Sequence, residues 1–74
     1  MSARIPVAAV TSGSVWKVNV SVGERVAEGD TVVVLEAMKM EIPVEAEGAG
    51  IIAALHVAEG DVVEADQIVA EVEL

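Results

Sequence analysis

The sequence holds 74 residues, enough for one small domain with one modest core, and thirteen acidic against four basic side chains give it a formal net charge of −9. Cysteine is absent and His56 is the only histidine, which excludes disulfides, zinc–thiolate centres and histidine-clustered metal or catalytic sites. The charge works against nucleic acid and anionic membrane as partners, and no apolar run approaches a membrane span. Met1-Ser2-Ala3-Arg4 is too short and too polar for a secretory leader, so a cytoplasmic protein is expected, or an organelle-matrix protein whose transit segment has been removed.

Trp16 is the sole aromatic residue and valine dominates the aliphatic set, a preference that favours strands. Ile5-Pro6-Val7-Ala8-Ala9 reads as an edge strand, because Pro6 has no N–H to donate to a ladder. Ser14 to Val20 reads as a strand with Trp16, Val18 and Val20 on one face. Val15 breaks that alternation, as a bulge or local twist does. Gly23-Glu24 opens a turn, Arg25-Val26-Ala27 is briefly extended, and Glu28-Gly29-Asp30 turns again. Thr31 to Leu35 follows as a strand, with Val33, Leu35 and Ala37 directed inward. Glu41 to Glu45 is another, in which the Pro43 nitrogen faces away from any neighbour or marks the end of pairing.

Gly48-Ala49-Gly50 carries the chain into a second half that repeats the first. Gly13–Glu36 overlays Gly50–Glu73 at a constant offset of 37 residues, matching Gly13 with Gly50, Gly23 with Gly60, Val32 with Val69 and Leu35 with Val72. Ile51 to Val57 then reads as a strand with Leu55 and Val57 inward and His56 solvated. The last strand is expected to put Ile68, Ala70, Val72 and Leu74 inward, with Val69, Glu71 and Glu73 on the opposite face. Two copies, each too small to close its own core, predict interlocking halves about an approximate two-fold axis. The expected fold is one all-β domain over residues 1–74, a flattened barrel or sandwich. Its glycines serve turns, and none forms a phosphate-binding pattern.

One place breaks the local rules. A hairpin centred on Met38-Lys39 would pair Ala37 with Met40 and Glu36 with Glu41. Two-residue hairpin turns favour Asn-Gly or Gly-Gly, because their inner positions need positive φ, and like charges placed opposite one another are unfavourable. A lysine at a hairpin tip is ordinarily a solvated residue, and methionine is ordinarily flexible packing. Several rules bent at one place instead mark a functional constraint.

Ala37-Met38-Lys39-Met40, with Glu36 before and Glu41 after, resembles the attachment motif of biotinyl domains, and the resemblance extends from about Val7 to Val72. It implies two four-stranded sheets with the termini near one end and the hairpin at the other. It further implies a carrier that is not itself an enzyme, with biotin joined covalently to Lys39. Glu36, Ala37, Met38, Met40 and Glu41 would then be read by a biotin protein ligase. The implied partners are a biotin carboxylase and a carboxyltransferase, and the implied role is carriage of a carboxyl group between them in an acyl-CoA carboxylase. The related lipoyl domains typically carry an acidic residue before the lysine and alanine after it, so Met38 and Met40 favour biotin over a lipoyl carrier. A third alternative is an unmodified acidic interaction domain. Two departures from the family pattern stand out. Only two residues separate Gly23 from Val26, which leaves no room for an inserted thumb, and Ser12-Gly13 replaces the frequent Pro-Gly.

Overall fold

Branched side chains prefer the pleated backbone, and in this computed structural model, which describes residues 3–74, every regular element is a strand. Met1 and Ser2, part of the segment weighed above as a leader, lie outside the described residues. The strands are β1 (Arg4–Ala8), β2 (Gly13–Val18), β3 (Arg25–Val26), β4 (Thr31–Ala37), β5 (Met40–Glu45), β6 (Gly50–Leu55), β7 (Val62–Val63) and β8 (Ile68–Glu73). They form two four-stranded antiparallel sheets, ordered β1-β8-β6-β3 and β5-β4-β2-β7. The domain measures 40 × 17 × 17 Å, and Val15, Val32, Val33, Leu35, Ile52 and Val72 are among the side chains buried between the sheets.

Adding 37 to the residue numbers carries β2 onto β6 and β3 onto β7, and also carries Ile5-Pro6-Val7 of β1 onto Ile42-Pro43-Val44 of β5. The correspondence therefore begins earlier than Gly13, where the sequence reading starts it. Proline falls on the edge strand of each sheet, where its missing N–H leaves no gap in a central ladder.

The halves are bonded reciprocally. The Gly23 amide donates to the Ile52 carbonyl and the Gly60 amide to the Val15 carbonyl, each at 2.8 Å. In return Ile52 donates to Glu24 and Val15 to Asp61, at 2.9 and 2.7 Å. Gly23 and Gly60 hold φ of 93° and 94°, a region that favours glycine. Each turn is thus fastened to the strand of the other half.

Two facing patterns differ from simple alternation, the shared face of Trp16, Val18 and Val20 and the inward set of β8. Trp16 is 49% exposed while Val15 is buried, because a bulge between Val15 and Lys17 resets the alternation. The equivalent irregularity lies between Ile52 and Ala54. In β8 the core takes Val69 as well as Ala70 and Val72, whereas Ile68 and Leu74 at the ends are exposed. Leu74 donates its backbone N–H to Ala3, but its side chain projects past the last layer of the core.

His56, read as a solvated residue, is half-exposed but not free. Its Nε2 lies 2.7 Å from a Glu71 carboxylate oxygen, and Arg4 approaches the other Glu71 oxygen at 3.4 Å. The hydrogen bond from His56, then the Arg4 guanidinium, holds the Glu71 carboxyl below its ordinary range. The three residues tie β1 and β8 to the end of β6 at the surface.

Leu35 is fully buried, facing Val15 on one side and Ile42 on the other along its sheet. Leu35→Ala should lower unfolding free energy by about 2–4 kcal/mol with an unchanged strand signature. Chemical denaturation alongside circular dichroism measures both, and an unshifted midpoint would contradict this burial.

Candidate functional site

The β4–β5 ladder runs without interruption from Val33 opposite Val44 to Ala37 opposite Met40, which leaves Met38 and Lys39 as the only two residues of the turn. Their φ angles are 52° and 65°, both left-handed. Such angles match the right-handed twist of the flanking strands, as a two-residue hairpin requires. For residues with a Cβ they cost about 1–2 kcal/mol each. Neither residue is glycine or asparagine, so the ladder beneath must impose the geometry.

Glu36 lies opposite Glu41 as expected, and Glu36 continues the row to Ser14 of β2 and Val62 of β7. Leu35, one residue earlier, points into the core, so both carboxylates point outward and are exposed. Among the described residues neither has an ion-pair partner, and Lys39 has none either. Lys39 is thus at the turn of a hairpin whose first ladder rungs include two opposed carboxylates, an unfavourable pairing. All six residues singled out from the sequence, Glu36, Ala37, Met38, Lys39, Met40 and Glu41, gather on this one hairpin.

Gly13 contributes in a way not foreseen from the sequence. It begins β2 beside the base of the hairpin, and a Cβ there would meet the Glu36 carbonyl oxygen at 2.6 Å and the Ala37 Cβ at 3.3 Å. Only glycine lets β2 approach the last residues of β4 so closely. Gly50 is hemmed in the same way by Glu73, so the pairing of these two glycines in the repeat was the available signal.

Chemically, the arrangement offers one primary amine on a short, well-supported turn. Surface hollows lined by Val10, Glu28, Pro43, Glu45 and Glu47, and by Arg25, Ile51, Glu73 and Leu74, lie away from Lys39. Exposed on a turn, the Lys39 amine is open to acylation by an external reagent. An amide-linked group on a flexible arm fits this tip, since nothing in the fold obstructs Met38, Lys39 or Met40, all exposed. Among the described residues no cluster of acidic or histidine side chains suits a metal.

Residues 4–72 match the family model described as "Biotin-requiring enzyme". The chain is 49% identical over 57 residues to a Mycobacterium leprae protein described as a homologue of the biotinylated protein TB7.3, a match covering 77% of this chain and 80% of that one. It is 48% identical over 66 residues to the alpha3 subunit of a biotin-dependent acyl-coenzyme A carboxylase of the same organism, covering 89% of this chain but 11% of the subunit. Among solved structures, the urea carboxylase of Kluyveromyces lactis superposes with a TM-score of 0.90 at 34% identity, over 95% of this chain and 6% of that one.

If the ladder holds Met38 and Lys39 in an unfavourable backbone region, then the double replacement Met38→Asn with Lys39→Gly should relieve it. The expected gain is about 1 kcal/mol in unfolding free energy, read by chemical denaturation. Equal or lower stability would show that the turn is not strained.

Proposed function

The chain belongs to the biotinyl-domain family of biotin-requiring enzymes, and from that premise we propose that Lys39 carries biotin and that the domain moves a carboxyl group between two enzyme sites. The observation that carries this reading is the turn itself. Lys39 sits at a left-handed corner between two exposed methionines, at the end of a sheet whose register fixes its position.

Attachment requires the Lys39 amine in its uncharged form. Nζ attacks the activated carboxyl carbon of biotin, a C–N amide bond forms, and the activating group leaves while the amine proton passes to solvent. The product has lost a positive charge, so the formal charge falls from −9 to −10 (−9 − 1). Biotin protein ligase is the partner for this step. Glu36, Ala37, Met38, Met40 and Glu41 form the surface it meets, with two carboxylates below and two thioethers beside the target.

Bound at Lys39, biotin supplies a ureido nitrogen that takes up a carboxyl group at one site and gives it back at another. The chain's own residues do the carrying. The β4–β5 ladder and the core beneath it fix the base of the arm, while the lysine side chain gives it reach. Tethering raises the local concentration at each site and prevents loss between them. The domain is thus a carrier belonging with biotin-dependent carboxylases and supplies no catalytic group of its own. A biotin carboxylase using ATP and a carboxyltransferase are the implied partners. An acyl-CoA acceptor is supported by the similarity to the acyl-coenzyme A carboxylase subunit. The likeness to a urea carboxylase, a protein named for a different activity, supports a choice of acceptor made by the partner enzyme. Met38 and Met40, in place of the acidic and alanine neighbours of a lipoyl lysine, support biotin.

Lys39→Arg keeps the positive charge but removes the amine that can be deprotonated. With ligase, ATP and biotin, the parent should gain one biotinyl group and the variant none, measured by intact mass, while their unmodified forms unfold alike. Lys17, exposed on β2 and without flanking methionines, is the control whose replacement should leave labelling intact. A labelled Lys39→Arg chain would contradict the assignment.

A further inference from the structure

The two methionines carry more than packing area. Met38 is 93% exposed and Met40 64%, and neither contributes to the core. A thioether is a soft nucleophile whose lone pairs accept an oxygen atom from a peroxide, and exposure governs how fast it does so. The chain has no cysteine thiol to intercept the oxidant first. Met38 precedes Lys39 directly and Met40 follows it, so any change at sulfur falls on the two residues bordering the amine.

We propose that Met38 and Met40 form a paired oxidation site, and that their sulfoxides shut off acylation of Lys39. The second half of this statement rests on the attachment reading above. In the chemical step the Sδ lone pair attacks the terminal oxygen of a hydroperoxide. The O–O bond breaks as the S–O bond forms, sulfur is oxidised by two electrons, and the peroxide is reduced to water or an alcohol. The product places a polar, chiral S–O group on each side of Lys39 where apolar methylthio groups stood. A surface shaped to bury thioethers must then desolvate those oxygens without matching donors, which is unfavourable. The fold is untouched, because Ala37 opposite Met40 closes a ladder whose support comes from Leu35 and the valines beneath. Repair removes the oxygen again, as methionine sulfoxide is reducible by a dithiol-dependent reductase.

The experiment treats the unmodified chain with hydrogen peroxide, locates the added oxygens by residue-resolved mass spectrometry, and measures the rate of biotin transfer by the ligase. Oxygen is expected on Met38 and then Met40, with unchanged thermal unfolding. Labelling should be at least about tenfold slower, the factor that follows from losing burial of one methionine side chain. Treatment with both methionine sulfoxide reductases should restore the original rate. A Met38→Leu/Met40→Leu chain should label at the same rate before and after peroxide. If that variant is a poor ligase substrate, recovery by the reductases decides alone. Oxidation that spares both residues, or equal rates for oxidised and untreated chains, would overturn the inference. No labelling of the untreated parent would overturn the attachment reading, and this inference with it.

Discussion

Neither half of this chain can enclose a core alone, and the reciprocal bonds between Val15 and Ile52 and the turns of the opposite halves are the constraint on which the rest depends. Each of these strand residues accepts from a glycine amide and donates to the carbonyl of the acidic residue after it, so the sheets are stitched where their bulges lie. The stitching fixes which valines face inward. Sixteen buried hydrophobic residues, with no buried polar or charged side chain among the described residues, form the result.

From that base the hairpin follows. A strand pair anchored through Val33 and Leu35 leaves two residues to reverse the chain, and the twist of the strands demands left-handed angles from both. Gly13 permits the close approach of β2 that supports the last turn of the ladder. Backbone strain, opposed carboxylates and exposed thioethers are each unfavourable or useless for folding. Their convergence on one turn supports the proposal that the turn is shaped for an external partner. In the proposed role the scaffold is rigid, the lysine-borne arm moves, and the hairpin is the junction between them.

Much of this was legible in residue order because period-two alternation and turn glycines are local signals. The offset of 37 residues points to the architecture, and the rule-breaking at Met38-Lys39 marks the candidate site. The failures were also local in origin. A bulge inserts one residue and inverts the facing pattern, which is why simple alternation groups Trp16 with Val18 and Val20 although Trp16 is exposed and Val15 is buried. Leu74 matched the inward phase of its strand, yet phase alone does not say where the core ends. The relation of β1 to β5 escaped notice although Ile-Pro-Val recurs, since the repeat was anchored on turn glycines that these edge strands lack. The partnership of His56 with Glu71 joins the residue just after β6 to β8 and depends on register, which composition does not reveal.

The central claim is that Lys39, and no other amine, bears the cofactor. The most direct measurement is peptide-level mass spectrometry of the chain isolated from its native cells, where modification is not outrun by overproduction. A biotinyl mass is expected on the peptide containing Met38-Lys39-Met40, with fragment ions that locate it on Lys39 and an unmodified Lys17. Biotin on Lys17, or a lipoyl mass on Lys39, would contradict it.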